Sequence, residues 1–379
     1  DMFSFFSPQA IHFGRGQSTQ APSLARAYGN DLLLVHGANA QRAEWLVSAC
    51  TDAGMTVRSL GCQNEPSLPD VQLALAQIKG FNPDVVIALG GGAVIDFAKA
   101  LAALIPCASP PQEYLEVVGT GRPLDHAPLP LIALPTTAGT GAEVTKNAVI
   151  TVPEHGIKVS LRDPRMIPDI AIVDAGLMQG APRRVTLSAG LDAITQVIEP
   201  YLSIKANPMT DALCLAAIPT GLGAIREVVE NDDPSAWDAM ARVSTWGGLA
   251  LANAGLGAVH GFAGVIGGRT NAPHGEICGA LLPAVLASHQ RKAQDGTDIQ
   301  KRLTWVLDQI DQHFNAGGTG LSQLKAWSRD TGLRGLGDMG LRADDLQAVA
   351  TASAGASSMK GNPFALSQQE LVEILTDAL

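Results

Sequence analysis

Residues 84–92 read DVVIALGGG, five apolar residues opened by Asp84 and delivered straight into three glycines. An unbroken apolar run of that length, rich in β-branched residues, predicts a strand buried on both faces, as in a parallel sheet covered by helices. Residues 94–105 follow with helical spacing. Glycines at such a strand-to-helix turn let the backbone come close to a pyrophosphate, and the free N–H groups of the helix start favour its charge. Asp96, four residues beyond Gly92, falls in the first turns of that helix, where it can accept hydrogen bonds from the loop or from a ribose. On this stretch alone a nucleotide loop and a turn without ligand are equally good readings.

The same alternation extends on both sides. Residues 31–36 (DLLLVH) predict a strand ending at Gly37, 41–53 a helix, 56–60 a strand, 71–79 a helix, and 129–134 a buried strand closed by Pro135. Residues 148–152, 158–161 and 170–173 are further β-like segments. Strand and helix in regular alternation predict a parallel sheet. After Pro182 the β-branched runs thin out, and residues 186–197, 208–229, 234–253 and 281–290 take helical periodicity. Ser367 and Glu370 form a capping box that opens a last helix. The expected architecture is an α/β nucleotide-binding domain with a parallel sheet over residues 1–177 and an all-α domain over 178–379.

Composition narrows the function classes. Apolar residues make up 46% of the 379 and charged residues 16%, which suits a chain with a large packed core and argues against disorder. A formal net charge of −10 disfavours general nucleic-acid binding, which needs basic faces to displace counterions from phosphates. The five cysteines are odd in number and lack a CxxC pair, so they are expected as reduced thiols of a cytoplasmic protein. No secretory pattern is read at the start of the sequence. Residues 247–268 carry no formal charge but include eight glycines, so a buried helix pair is expected there rather than a membrane span.

A second loop strengthens the nucleotide reading. Residues 135–143 (PTTAGTGAE) also follow a buried strand and combine three threonine hydroxyls with two glycines, suited to phosphate and ribose contacts. Two such loops at strand ends belong beside one crevice in a doubly wound fold, although the strict G-x-G-x-x-G spacing is absent. GGGAVIDFAK at 90–99 and PTTAGTGAEVT at 135–145 resemble the two nucleotide signatures of the iron-containing (group III) alcohol dehydrogenases, whose architecture is shared with dehydroquinate synthase. The likeness continues through IHFGRG at 11–16, IPDIAIVD at 167–174, and Asn362 with Pro363. It implies that NAD or NADP touches Gly91, Gly92, Asp96, Thr136, Thr137, Thr140 and Lys158, and that Asn147 faces the substrate. Gly37 is expected beside the adenosine ribose, where many NAD-preferring members carry an acidic residue. Without that carboxylate nothing repels a 2′-phosphate, so NADP is expected to be accepted.

The resemblance also implies a divalent metal, iron or zinc, held by an aspartate, a histidine four residues later, and two further histidines. The matching positions are Asp192, Gln196, His260 and His274, so glutamine replaces one histidine. A second departure is Gly264, where the family carries a histidine often treated as a proton relay. Asp192 and Gln196, at i and i+4, share one helix face. A glutamine oxygen can coordinate, but it is a poorer donor than imidazole. Asp192, His260 and His274 alone still make a two-histidine, one-carboxylate set, so a retained metal and a metal-free polar pocket both stay open.

The expected activity is hydride transfer between NAD(P) and a small alcohol, aldehyde or ketone in an interdomain cleft, with His260 and His274 as catalytic residues. A homodimer is implied by resemblance; no nucleic-acid or membrane partner is expected. The alternatives are a metal-independent reductase of the maleylacetate type, and an NAD(P)-binding sensor without turnover. The His-His-Lys run of maleylacetate reductases is absent here, where Val259, His260 and Gly261 stand. A lyase of the dehydroquinate synthase type would need basic phosphate-binding residues that are sparse around the site.

Overall fold

The structure, a computed structural model, describes residues 2–315 and 317–379. It divides into two compact units: Phe6–Thr137 with Gly141–Met178, and Gln179–Leu379 with residues 2–5 and Ala138–Thr140.

The first unit carries strands β1 (Ala10–Phe13), β2 (Asp31–His36), β3 (Thr56–Gly61), β4 (Val85–Gly90), β5 (Leu131–Pro135), β6 (Asn147–Val152), β7 (Ile157–Arg162) and β8 (Ile170–Val173). Six of them, among the described residues, form a parallel sheet in the order β1-β8-β5-β4-β2-β3. Side-chain alternation along the strands feeds two cores. Leu32 and Leu34 pack with Ala21, Ala25, Leu46 and Cys50 of helices α1 (Ala21–Arg26) and α2 (Glu44–Asp52). Leu33 and Val35 point the other way, toward Ala74, Ile95, Ala98 and Leu101 of α3 (Leu68–Gln77) and α4 (Gly92–Leu104). Burial on both faces is why these strands are continuous apolar runs.

The segments at 148–152 and 158–161 are strands, as expected, but they pair antiparallel with each other outside the sheet. This β6–β7 hairpin buries Ala148, Ile150, Val152, Val159 and Leu161 against Leu68, Val71, Ala103 and Leu104. Buried Lys99 pins its start, donating to Thr145 Oγ1 at 2.7 Å and to the Asn147 carbonyl at 3.2 Å. Burial lowers the Lys99 pKa to about 8, against the opposing pull of Asp96 and Glu143.

The second unit is helical: α5 (Arg183–Leu202), α6 (Pro208–Asn231), α7 (Pro234–Ala254), α8 (Ala258–Thr270), α9 (His274–Lys292), α10 (Asp298–His313), α11 (Gly320–Asp330), α12 (Leu346–Ala354) and α13 (Gln368–Asp377). Ser367 and Glu370 close the expected capping box on α13. Helix α5 is the hub, packed by α6, α7 and α9 and buried along most of its length. The uncharged stretch at 247–268 is split between α7 and α8, whose axes bend by 100° at the break. Helix α6 has the length and hydropathy of a membrane span, yet it packs on α5 and α7.

Candidate functional site

Two constellations stand out, one in each unit. The first lies along the carboxyl edge of the sheet. The chain runs from β2 outward to β3, then returns to β4 and proceeds to β5 on the other side, so the order reverses between β2 and β4. Loops at such a reversal are where open α/β sheets bind nucleotides. His36 is level with Leu89, and Gly90 with Pro135, which brings the loops at Gly37, Gly91–Gly92 and Thr136–Thr137 onto one edge. The Thr136 N–H donates to the Gly90 carbonyl at 2.9 Å. A Cβ on Gly90 would stand 2.6 Å from the Val94 side chain, and one on Gly91 3.3 Å from Thr137 Cγ2, so the turn has no room at the first position and little at the second.

Other expected nucleotide residues have protein partners in this unit. Asp96 Oδ2 accepts from the Val149 N–H at 3.2 Å. Lys158 on β7 pairs with Glu65, which lies between β3 and α3. Asn147 contacts Ser160 Oγ at 3.4 Å. Thr140 falls with Ala138 and Gly139 in the helical unit.

The second constellation is a knot of side chains within the helical unit. Asp192 on α5, His260 on α8, and His274 and Cys278 on α9 each present one donor atom, and these atoms all lie within 4.8 Å of one another. Asp192 Oδ1 is 3.2 Å from His260 Nε2 and 3.5 Å from His274 Nε2. Cys278 Sγ is 3.7 Å from His260 Nε2 and 3.6 Å from His274 Nε2. Asp192 and Cys278 are buried, whereas the His274 side chain keeps 38% of its surface exposed.

Glycines bring the helices to this distance. A Cβ on Gly275 would stand 2.4 Å from the Ser188 carbonyl oxygen, and one on Gly279 2.7 Å from Leu191 Cδ1. Two glycines four residues apart on α9 thus let it lie directly on α5, one turn of which ends at Asp192. Behind the donors sits Glu199, two turns beyond Asp192 on α5. Its carboxylate takes the N–H groups of Val259 (2.9 Å) and His260 (3.2 Å) at the start of α8, together with His260 Nδ1 at 2.7 Å. That contact fixes the ring and aims Nε2 at Asp192, the arrangement in which a carboxylate orients a ligand histidine. Asn362 completes the helix start, accepting from the Ala258 N–H at 3.0 Å, and meets buried His289 at 3.1 Å.

The electrostatics are those of anions facing cations. Burial opposes the Asp192 charge, but His274 and His260 outweigh it and hold the carboxyl well below the usual range. Burial likewise opposes the His274 cation, which Cys278 and Asp192 nevertheless raise to about 10. His260 rises for the same reasons, with Glu199 adding to the effect. Burial alone pushes the Cys50 thiol up to about 11, whereas at Cys278 the two histidines override burial and the pKa falls. A carboxylate, two imidazoles and an acidified thiol suit a divalent transition metal.

Gln196 stands one turn beyond Asp192, and its amide Nε2 donates to the Gly139 carbonyl at 2.9 Å. Its nitrogen is therefore engaged with the PTTAGTG loop. Two members of the constellation were not singled out from sequence, Cys278 and Glu199. The available signal was spacing: Cys278 is four residues from His274, and Glu199 seven from Asp192.

A glycine turn at a sheet reversal and a buried Asp–His–His–Cys knot occur together in a chain that matches two family models end to end. Residues 8–175 match the iron-containing alcohol dehydrogenase model, and 186–379 match the C-terminal model of the Fe-containing alcohol dehydrogenase family. The chain belongs to the iron-containing alcohol dehydrogenase family. It is 33% identical over 317 residues to lactaldehyde reductase of Escherichia coli, covering 83% of this chain and 82% of the relative. It is 28% identical to the NAD-dependent methanol dehydrogenase of Bacillus methanolicus over the full length of both. A solved alcohol dehydrogenase from Oenococcus oeni superposes with a TM-score of 0.86 at 25% identity, with all of both chains covered. As a member, the chain is an oxidoreductase acting on alcohol or aldehyde substrates, and NAD(P) with a divalent metal are the family's cofactors. The positions expected to carry the family's second metal ligand and its proton-relay histidine are Gln196 and Gly264. A Cβ at Gly264, one turn along α8 from His260, would meet no atom within 4 Å.

Proposed function

We propose that Asp192, His260 and His274 hold the divalent metal of this dehydrogenase and that the reacting oxygen of a small alcohol, aldehyde or ketone binds beside them. The supporting observation is the convergence of donors from α5, α8 and α9 within 4.8 Å, Asp192 and Cys278 buried and His260 and His274 partly so, with Glu199 orienting His260. A divalent cation bound there would supply Lewis-acid polarisation of a carbonyl or stabilisation of an alkoxide. The chain's own residues do the rest. Glu199 and Asp192 fix the His260 ring from its two nitrogens, and the partly exposed His274 forms the edge at which substrate arrives. Gly264 brings no proton-carrying group to α8, so the proton exchanged at the substrate oxygen passes to water or to a ribose hydroxyl.

The same proposal places NAD(P) along Gly37, Gly91, Gly92, Asp96, Thr136, Thr137, Thr140 and Lys158, with Asn147 toward the substrate. Gly37 carries no carboxylate against a 2′-phosphate, so kcat/KM with NADP is expected within about a hundredfold of that with NAD; a wider gap in favour of NAD removes this part. A cytoplasmic homodimer completes the reading, supported by five free cysteines and by exposed Met2, Phe3 and Phe6. The activity is tested by following NAD(P)H oxidation with a panel of short aldehydes and ketones. Turnover that disappears in Asp192→Ala, while cofactor still binds, supports the assignment. Tight cofactor binding with no turnover on any carbonyl would favour a sensor instead.

A further inference from the structure

We propose that Cys278 Sγ is the fourth protein donor of the metal site, in place of residue 196, giving an Asp–His–His–Cys set that favours zinc over iron. The inference rests on the metal reading of the cluster given above and adds to it the identity of one ligand. The family's fourth donor belongs on α5 at position 196, where the glutamine's amide nitrogen donates to the Gly139 carbonyl and only its neutral amide oxygen, a weaker ligand than imidazole or thiolate, is left to offer. On α9, Cys278 lies one turn from His274 and brings a sulfur within 3.7 Å of both histidine Nε2 atoms.

The spacing of the donors fits a metal. With Zn–S near 2.3 Å and Zn–N or Zn–O near 2.0–2.1 Å, a tetrahedron has S···N edges of about 3.6 Å and N···O edges of about 3.3 Å. The S···N separations here are 3.7 and 3.6 Å, and the N···O separations are 3.2 and 3.5 Å. Four protein donors would then remain, one of them moved from α5 to α9 and changed from a neutral nitrogen to an anionic sulfur, and the substrate oxygen would add to them as a fifth donor. Two anionic donors neutralise a divalent cation, and thiolate selects for zinc. Cys278 is fully buried, and its sulfur has the two imidazole nitrogens as neighbours.

Cobalt substitution of the full-length protein tests the ligand directly. Metal is removed with a chelator, one equivalent of Co2+ is added, and the absorption spectrum is recorded. A thiolate-to-cobalt charge-transfer band in the near ultraviolet is expected for the unaltered protein and for Gln196→Ala. In Cys278→Ser the band should vanish, zinc should bind about 10–100-fold more weakly, and the zinc-to-iron affinity ratio should fall, whereas Gln196→Ala should change zinc affinity by no more than about threefold. Stoichiometric cobalt without a thiolate band would overturn the assignment of Cys278 and leave the metal site standing. No cobalt uptake at all would overturn both. The unaltered protein's spectrum decides even where a variant does not fold.

Discussion

The carboxyl edge of the sheet and the donor knot of the helical unit present binding groups in different ways. Along the sheet edge the groups belong largely to the backbone: glycines and N–H groups at Gly37, Gly90–Gly92 and Thr136–Thr137, held level by strand register. In the helical unit they are side chains from α5, α8 and α9, set by two glycines on α9 and one carboxylate on α5. A backbone site depends on shape, and at its turn a Cβ on Gly90 would stand 2.6 Å from Val94 and one on Gly91 3.3 Å from Thr137, so it tolerates little exchange there. A side-chain site depends on which atoms arrive, so a donor can be lost on one helix face and supplied from another. That difference is what lets the proposed metal ligands depart from the family's pattern while the nucleotide signatures keep it.

The largest expected effect separates the two regions outright. Asp192→Ala removes the donor shared by both histidines, and metal affinity should fall by more than about a hundredfold with turnover at background. NAD(P) affinity, read by fluorescence titration, should stay within about twofold, since Asp192 has no partner on the sheet edge. Loss of both together would break the comparison. Glu199→Gln should be smaller: the ring keeps its position but loses the anion behind it, and metal affinity should drop by about 10–100-fold, measured by competition with a chromophoric chelator. An unchanged affinity would mean that Glu199 serves only the start of α8.

From the other side, Gly90→Ala forces a Cβ to 2.6 Å from Val94. It should destabilise the chain by about 1–3 kcal/mol in a thermal or urea melt and weaken NAD(P) binding, with metal content unchanged. The smallest effect is Gln196→Ala. It removes the hydrogen bond to the Gly139 carbonyl, worth about 1 kcal/mol of stability, and leaves metal content intact. Metal loss in this variant would return the fourth donor to position 196.

What could be read from sequence follows the same division. The sheet was legible because both-face burial writes itself as apolar runs such as DLLLVH and DVVIAL, each closed by glycine. The pairing of β6 with β7 outside the sheet was not legible, since two short β-like segments carry no mark of their partner. In the helical unit Asp192, His260 and His274 were found by resemblance. Cys278 was read only as a buried reduced thiol, although it repeats the i, i+4 spacing used to pair Asp192 with Gln196. Its approach to Asp192 depends on how closely α9 lies on α5, which Gly275 and Gly279 determine through tertiary contact. Glu199 shares a helix face with Asp192, but its role appears only once α8 is placed against it.

The central claim is that the knot on α5, α8 and α9 holds a divalent metal that the dehydrogenase needs for turnover. Elemental analysis of the purified protein, coupled to NAD(P)H-dependent carbonyl reduction before and after chelation and after re-addition of zinc or iron, tests it most directly. The account expects about one metal per chain by the single-site geometry, activity lost on stripping, and activity restored on reloading. Full turnover in protein shown to be free of metal would contradict it.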